Sequence, residues 1–549
     1  MKAFLSASLC LALSLTAFAQ STTSETSKIA SFCKIWGFLK YYHPGVAKGT
    51  QDWDTAFMNR VTTLGNLHTK EQISNYYSAW INSLGTVERC RKCKTDDPNN
   101  VTFNLDLGWL RDSTQFSPEL INQLQYIREN RNQQGNYYVQ AAPGVGNTTY
   151  DNEKPYKDAV FPVVEVRLLG LSRYWNIINY FYPYKYRIGR DWNAVLTDMI
   201  PKFKEPKDTV AYHLAMLELT ASINDSHAGF VTNYTNRYFG FKWAPFVFSI
   251  VDDKAIVTSF LSDSMAAADD IQYGDVFLKA DGRTIGSIIK EKSPYIGASN
   301  EAVKRRNLFY GIFNGPTDSV RVTFERNGVV AEKYIHRYFR SQFKPTGADT
   351  KKDTFRILPG NIGYVNMGIL ERKQTEAVLE NLRNTVAIIF DVRNYPRGTM
   401  YEVANFLNPE SKPFAKFTNP DINYPGVYHY TPTYNCGINK GTPYKGKVIL
   451  LFNETSQSHA EFTLMALQTA PNVVSIGSQT AGADGNVSLL TFPGNYKTYM
   501  TGIGVYYPDG RETQRIGIVP DIEVKPTIAG IRAKKDEVLE KGIEVAKKP

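Results

Sequence analysis

A serine placed between an apolar strand and a helix is the first residue of this 549-residue chain that could do chemistry. Ser458 lies in Asn453-Glu-Thr-Ser-Gln-Ser458-His459-Ala460-Glu461, after the run Val448-Ile-Leu-Leu-Phe452 and before a helix predicted over about 459–470, where Pro471 stops it. A hydroxyl at such a turn is presented at the sheet edge, and the helix N-terminus aims unpaired N–H groups at anything bonded to it. Acyl transfer needs that arrangement, a nucleophile with donors facing a developing oxyanion. The plainer role for Ser458 is that of an N-cap, which serine commonly takes. A second segment, Asp391-Val-Arg393-Asn394-Tyr-Pro396-Arg397-Gly398-Thr, ends a strand in a Pro/Gly turn, and Gly398 can bring a backbone N–H close without a side chain in the way. A third, Asn224-Asp225-Ser226-His227-Ala228-Gly229, supplies an imidazole, which titrates near neutrality and can take a serine proton. The chain has 7 His, and His227 stands out because it ends a helical segment in a compact polar loop.

These residues need a scaffold, and the pattern around them supplies one. From Ile362 strands alternate with helices: 362–367, a helix over 374–383, the apolar runs Val386-Ala-Ile-Ile-Phe-Asp391 and 448–452, then Val473-Val-Ser-Ile-Gly477. Continuous apolar runs suit strands buried on both faces, so a mostly parallel sheet with covering helices is predicted. Between about 238 and 340 the pattern is short strands and turns, with an Asp252-Asp253 hairpin turn, Asp281-Gly282 and Asn327-Gly328. Upstream, two segments repeat: Trp36/Trp175, Tyr41/Tyr180, Pro44/Pro183, Asp52/Asp191 and Trp53/Trp192 match at a constant offset of 139. Each copy reads as a helix ended by an aromatic-Pro turn and followed by a second helix. At that offset Glu88 stands where the second copy has His227, so one copy carries chemistry and the other only structure.

The composition is that of a globular chain, with 42% hydrophobic and 21% charged residues. The 63 Lys+Arg against 53 Asp+Glu leave +10, spread without a basic run, which argues against nucleic acid as a partner. Lys2, the apolar run 4–15 and Ala17-Phe18-Ala19 before Gln20 form an export signal, and no other run is long enough to span a membrane. In an oxidising compartment Cys90-Arg-Lys-Cys93 favours a local disulfide over half a zinc site, because no second Cys/His pair follows; Cys33 and Cys436 can pair or stay buried.

Taken together, the chain resembles the C-terminal processing (tail-specific) serine peptidases over roughly residues 163 to 527. The resemblance rests on Ser226-His227-Ala228-Gly229, a β insert similar to a PDZ domain, the loop 391–398, the helix start at Ser458, Gly477-Ser-Gln-Thr480-Ala-Gly482, and Gly517-Ile-Val-Pro520-Asp521-Ile522. It implies an exported serine endopeptidase that cuts peptides or unfolded protein tails through an acyl-enzyme, without cofactor or metal. Where the Ser-Lys branch carries its lysine, this chain reads Thr480-Ala481-Gly482-Ala483-Asp484-Gly485. The resemblance is therefore to the tricorn-core-like branch, with Ser458 as nucleophile, His227 as base, Glu512 orienting the base through Ser226, and Gly398 and His459 N–H groups as the oxyanion hole. Arg397 departs from the family loop, which usually has a second glycine there.

The implied fold class is multidomain α+β. A signal segment at 1–19 is followed by an N-terminal helical domain at 20–150 and a second helical module at 151–237. A PDZ-like domain spans 238–340, an α/β core of crotonase/ClpP-like type spans 341–527, and a C-terminal helix spans 528–549. One rival is a catalytically inactive peptide-binding protein on the same fold, separated by whether His227 serves Ser458 with Glu512 behind Ser226. Another is a carbohydrate-binding scaffold, which would expose the aromatic residues around Trp36 and Trp175.

Overall fold

The structure is a computed structural model that describes residues 24–93, 97–343, 353–437 and 442–548. The expected export signal over 1–19 lies outside the described residues. The N-terminal third is helical. Helices α1 (Glu25–Tyr42) and α2 (Trp53–Val61) have counterparts in α3 (Val164–Phe181) and α4 (Trp192–Lys204). Within each pair the two indoles exchange bonds: Trp36 Nε1 donates to Trp53 O (3.0 Å) and Trp53 Nε1 to Trp36 O (3.2 Å). Trp175 and Trp192 do the same at 2.8 and 3.0 Å. Asp52 and Asp191 cap α2 and α4 by accepting backbone N–H groups of their first turns. All four indoles are buried, so the aromatic residues are packing and form no exposed platform around Trp36 or Trp175. α1 and α3 cross at Gly37, where any Cβ would overlap Asn176, whose amide donates to Cys33 O at 3.0 Å. Helix α5 (Thr209–Ala221) follows and delivers Asp225, Ser226 and His227 just past its end. Asn224, at φ 52°, turns the chain out of that helix, and its amide donates to Ile188 O at 2.7 Å.

The insert is an antiparallel sheet of β1 (Phe246–Val251), β2 (Lys254–Phe260), β3 (Val276–Ala280), β4 (Ser319–Arg326) and β5 (Val329–His336). The strand order is β5-β4-β3-β2-β1, leaving β1 at an edge. The two expected hairpin turns are present, with Asp252 and Asp253 at φ 49° and 56° and Asn327 and Gly328 at 52° and 80°. Such left-handed pairs match the twist of the flanking strands. Helix α6 (Glu301–Asn307) belongs to this insert and lies against the core: Val303 and Ala298 pack on Ala481.

The core is a sheet of β6 (Phe355–Leu358), β7 (Ile362–Asn366), β8 (Ala387–Asp391), β9 (Lys447–Phe452), β10 (Val473–Gly477) and β12 (Ile522–Glu523) in that order, with β11 (Tyr496–Thr501) in a separate hairpin. β6 joins antiparallel and the other neighbours are parallel. Both faces are covered, as the apolar runs require. Ile388, Phe390, Leu450 and Phe452 pack toward α7 (Arg372–Leu382) and α8 (His459–Leu467). Ala387, Ile389, Ile449 and Leu451 pack toward α9 (Glu537–Ala546). α8 ends at Leu467, three residues short of the expected end, its last turn opening before Pro471. Cys90 and Cys93 are joined, while Cys33 and Cys436 are buried thiols; burial pushes the Cys33 thiol up to about 12. Among the described residues no helix is long and apolar enough to cross a membrane.

Candidate active site

Ser458 is the residue before α8 and takes φ 57°, ψ −120°, a left-handed conformation costly for a residue with a Cβ. Something must hold it there. Its N–H donates to Ala483 O at 3.0 Å and to Glu461 Oε2 at 3.2 Å. Glu461 is buried one turn along the helix and gathers three more donors: the Thr480 hydroxyl and Gly482 N–H on Oε1, and Ala483 N–H (3.0 Å) on Oε2. Burial drives the Glu461 carboxyl above the usual range against the pull of those bonds. One side chain thus ties the nucleophile turn to the 480–483 loop.

The same loop reaches the histidine. Ser226 Oγ donates to Ala481 O (3.2 Å), Gln457 Nε2 to Ser226 O (3.4 Å), and Ala481 N to Ser456 O (3.0 Å). Beside Ser226, His227 places Nδ1 2.9 Å from Thr501 Oγ1. Thr501 donates that hydroxyl to Asp225 Oδ1 (3.0 Å) and its N–H to Oδ2 (2.6 Å), and Asp225 Oδ1 also accepts His227 N–H at 3.0 Å. Asp225 and Thr501 are both 0% exposed. Burial pushes the Asp225 carboxyl up, but the bonds from His227 and Thr501 and the charge of the ring outweigh it and hold it below the ordinary range. An ionised carboxylate only accepts, so the Thr501 proton points at Asp225 and Oγ1 must accept from Nδ1–H. That fixes the tautomer and leaves the lone pair on Nε2, the arrangement a general base requires.

Glu512 does not take the orienting place expected for it. Its carboxylate accepts Tyr186 Oη at 2.5 Å and Arg187 Nε at 2.6 Å and bonds neither Ser226 nor His227. The bridge between Tyr506 and Glu512 turns the side chain toward the 185–187 turn. Ser226 is occupied instead by Ser299, Ser226 N donating to Ser299 Oγ (2.9 Å) and Ser299 N to Ser226 Oγ (2.8 Å).

On the other side of Ser458, Gly398 is exposed at φ 72° with open space where a side chain would be. Among the described residues, neither its N–H nor that of His459 meets a protein acceptor. The Tyr395 and His459 rings lie 6.0 Å apart, which brings this loop beside the α8 N-terminus. Arg397 folds away, donating to Gly368 O (3.0 Å) and toward Glu371 (3.4 Å). The His459 ring is itself partly buried, which lowers its pKa, and its Nε2 has no partner.

Asp484 occupies the stretch where the lysine of the other branch is expected. It is buried, its Oδ2 has no partner, and both burial and the Glu461 charge raise its pKa. A carboxyl whose folded pKa is raised stabilises the fold fully below its unfolded pKa, about 4. That contribution is lost as the pH rises toward the folded value. Asp484→Asn is therefore expected to raise the melting temperature at pH 8 by roughly 1–2 °C, the scale of about 1 kcal/mol in a chain of this length. The gain should shrink at pH 4.5; thermal unfolding at both pH values reads it, and an equal gain at both would contradict it.

Ser458 thus stands on a strand–turn–helix of a doubly covered parallel sheet, and the loop that carries His227 is bonded to its turn through Gln457. Residues 361–524 match the model of peptidase family S41, and the chain carries a serine-peptidase domain of that family. No curated protein sequence matches the chain. Among solved structures, mature CPAF complexed with lactacystin is similar at 15% identity and TM-score 0.54, over 70% of this chain and 98% of that one. The photosystem II D1 C-terminal processing protease aligns at 14% identity and TM-score 0.38, over 68% and 96%. The tricorn protease aligns at 15% identity and TM-score 0.32, over 70% of this chain and 36% of that one. The likeness to CPAF is one of fold.

Proposed function

We propose that the chain is an exported serine endopeptidase that cuts peptides or protein tails through an acyl-enzyme, with Ser458 as nucleophile and His227 as base. The observation that carries this reading is the chain of bonds from His227 Nδ1 through Thr501 to Asp225, which leaves Nε2 as the proton acceptor on a loop bonded to the nucleophile turn. In the reaction Ser458 Oγ attacks the scissile carbonyl as Nε2 takes its proton. The oxyanion meets the N–H groups of Gly398 and His459, and the imidazolium returns the proton to the departing amine. Asp225, with Thr501, replaces Glu512 as the group that steadies the base. Water then enters and His227 activates it to release the acyl group.

The insert is read as a PDZ-like module that holds the substrate. In support, β1 is the last strand of its sheet, and beside it a cavity of about 150 Å³ is lined by Trp243, Phe246, Phe248, Phe309 and Phe313. A peptide added to that edge would place an apolar side chain in the cavity. Export rests on the Lys2, apolar and Ala-Phe-Ala pattern of the first nineteen residues.

The test is labelling by a fluorophosphonate probe. One label per chain is expected on the parent, with none on Ser458→Ala and none on His227→Ala. A well-folded parent that takes no label and cleaves no peptide would sink the proposal in favour of a peptide-binding protein. A label that survives His227→Ala would remove the base.

A further inference from the structure

A crevice of about 470 Å³ that includes Ser299, the partner of Ser226, opens where the second helical module, the insert and the core meet. Its wall carries three cations, Arg187, Lys304 and Arg515, and one acid, Glu301. Arg187 is already paired with Glu512 (2.6 Å). Lys304 has Glu301 at 3.4 Å on the same helix, but that carboxylate is 79% exposed, and a solvated pair of this kind neutralises little. Arg515 meets no carboxylate among the described residues. Its Nε donates to Ser299 O at 3.2 Å and its Nη1 to Arg187 O, both neutral acceptors. Its backbone is held at φ 63° by donation to Gly482 O (2.8 Å) and by Gln479 Nε2 donating to Arg515 O (3.3 Å), so the guanidinium is fixed in place. A positioned guanidinium with only neutral partners, in an open polar crevice that also carries Lys304, is built to receive an anion.

The geometry points to an oxyanion-binding site at Arg515 and Lys304, taking a carboxylate or phosphate group, that communicates with the base through Ser299. Arg515 holds the carbonyl of the same Ser299 whose N–H and hydroxyl clasp Ser226, the residue before His227. An anion bound there neutralises Arg515 and fixes the 299–301 segment, and with it the loop that carries the imidazole. The binding stands on the crevice alone; the effect on the base rests on the His227 reading above. Two sources share this chemistry: the terminal carboxylate of a peptide, and a free inorganic anion.

The experiment uses the full mature chain. Binding of inorganic phosphate, and of a short peptide as free acid or as carboxyl-terminal amide, is measured by calorimetry, and the rate of fluorophosphonate labelling is followed with and without phosphate. Saturable phosphate binding is expected, weakened at least tenfold in Arg515→Gln and less in Arg515→Lys. Circular dichroism and thermal unfolding of each variant show whether it is folded. Displacement of phosphate by the peptide acid but not the amide assigns the site to a peptide terminus, and binding of phosphate alone assigns it to a free anion. No saturable binding by either probe, or binding that folded Arg515→Gln and Lys304→Gln both retain, overturns the proposal. Phosphate binding that needs Arg515 in a chain that takes no fluorophosphonate label keeps this site and removes the peptidase reading. Binding that leaves the labelling rate unchanged removes the link to the base.

Discussion

Asp225→Asn is expected to lower turnover about 10³–10⁴-fold while leaving the fold intact, the scale on which a serine hydrolase loses activity when its histidine adopts the wrong tautomer. An asparagine at 225 has one oxygen where the aspartate has two. With that oxygen on the Thr501 N–H, its shortest partner, the amide NH₂ takes the place of Oδ1: it donates to Thr501 Oγ1 and leaves the His227 N–H without its acceptor. The hydroxyl must then turn its proton toward Nδ1, which forces the ring proton onto Nε2 and removes the base. Thr501→Val, which deletes the intermediate link, should fall between parent and Asp225→Asn, and Thr501→Ser should recover most of the activity. A purely structural role would not produce that order, because Thr501→Val conserves shape better than it conserves the hydroxyl. The measurements are kcat for any cleaved peptide and the second-order rate of fluorophosphonate labelling; Asp225→Asn within tenfold of the parent would remove the relay. The acid limb gives a second check. Asp225 has a depressed pKa when folded, so its stability contribution is present above the ordinary aspartate value of about 4 and is lost as pH falls through the folded value. Below pH 4 the parent should lose this advantage over Asp225→Asn.

The contrast between Asp225 and Glu512 shows what the sequence carried and what it did not. The position of Ser458 between strand and helix was legible because an apolar run, a polar turn and a helix follow one another within about twenty residues, and local patterns of that kind survive folding. The Trp pairs were legible for the same reason: partners 17 residues apart at a fixed offset must fold alike. Thr501 was not, because it meets His227 across 274 residues and sits in a hairpin whose threonines look alike. Asp225 was within sight, two residues before His227, in a turn too short to point its carboxylate far from the ring. Glu512 had the expected spacing from Ser458 along the chain, but spacing does not set side-chain direction. The Tyr506–Glu512 bridge does, and it faces Tyr186 and Arg187. The four central strands of the core sheet were predicted because they are largely apolar sequence, while the short edge strands β6 and β12 were not. Helix α8 ended early because the Pro471 signal marks where a helix must have stopped, not where it does.

Removal of Glu461 should cost more stability than any other single change near the site, and activity before stability. Glu461→Leu would leave the N–H groups of Gly482 and Ala483 and the Thr480 hydroxyl buried without an acceptor and would weaken the hold on Ser458 N–H. At roughly 1–3 kcal/mol for each of the three stranded groups the gross loss is about 3–9 kcal/mol, offset in part by no longer burying a carboxyl. Glu461→Gln keeps the volume but turns an NH₂ toward donors that need an acceptor, so it should lie between Leu and parent. The kinetic effect follows from Ser458 itself. With Glu461 changed, Ser458 at φ 57° is held by Ala483 O alone, in a loop that has lost its own bonds to Glu461, and relaxation of that turn moves the hydroxyl from its place at the α8 N-terminus. In Glu461→Gln, at temperatures well below its transition, labelling should therefore fall at least a hundredfold while circular dichroism is unchanged. The denaturation midpoints of both variants and their labelling rates below the transition decide the matter. A Gln variant that is destabilised yet labels at the parental rate would make Glu461 a pillar of the fold with no part in holding the nucleophile.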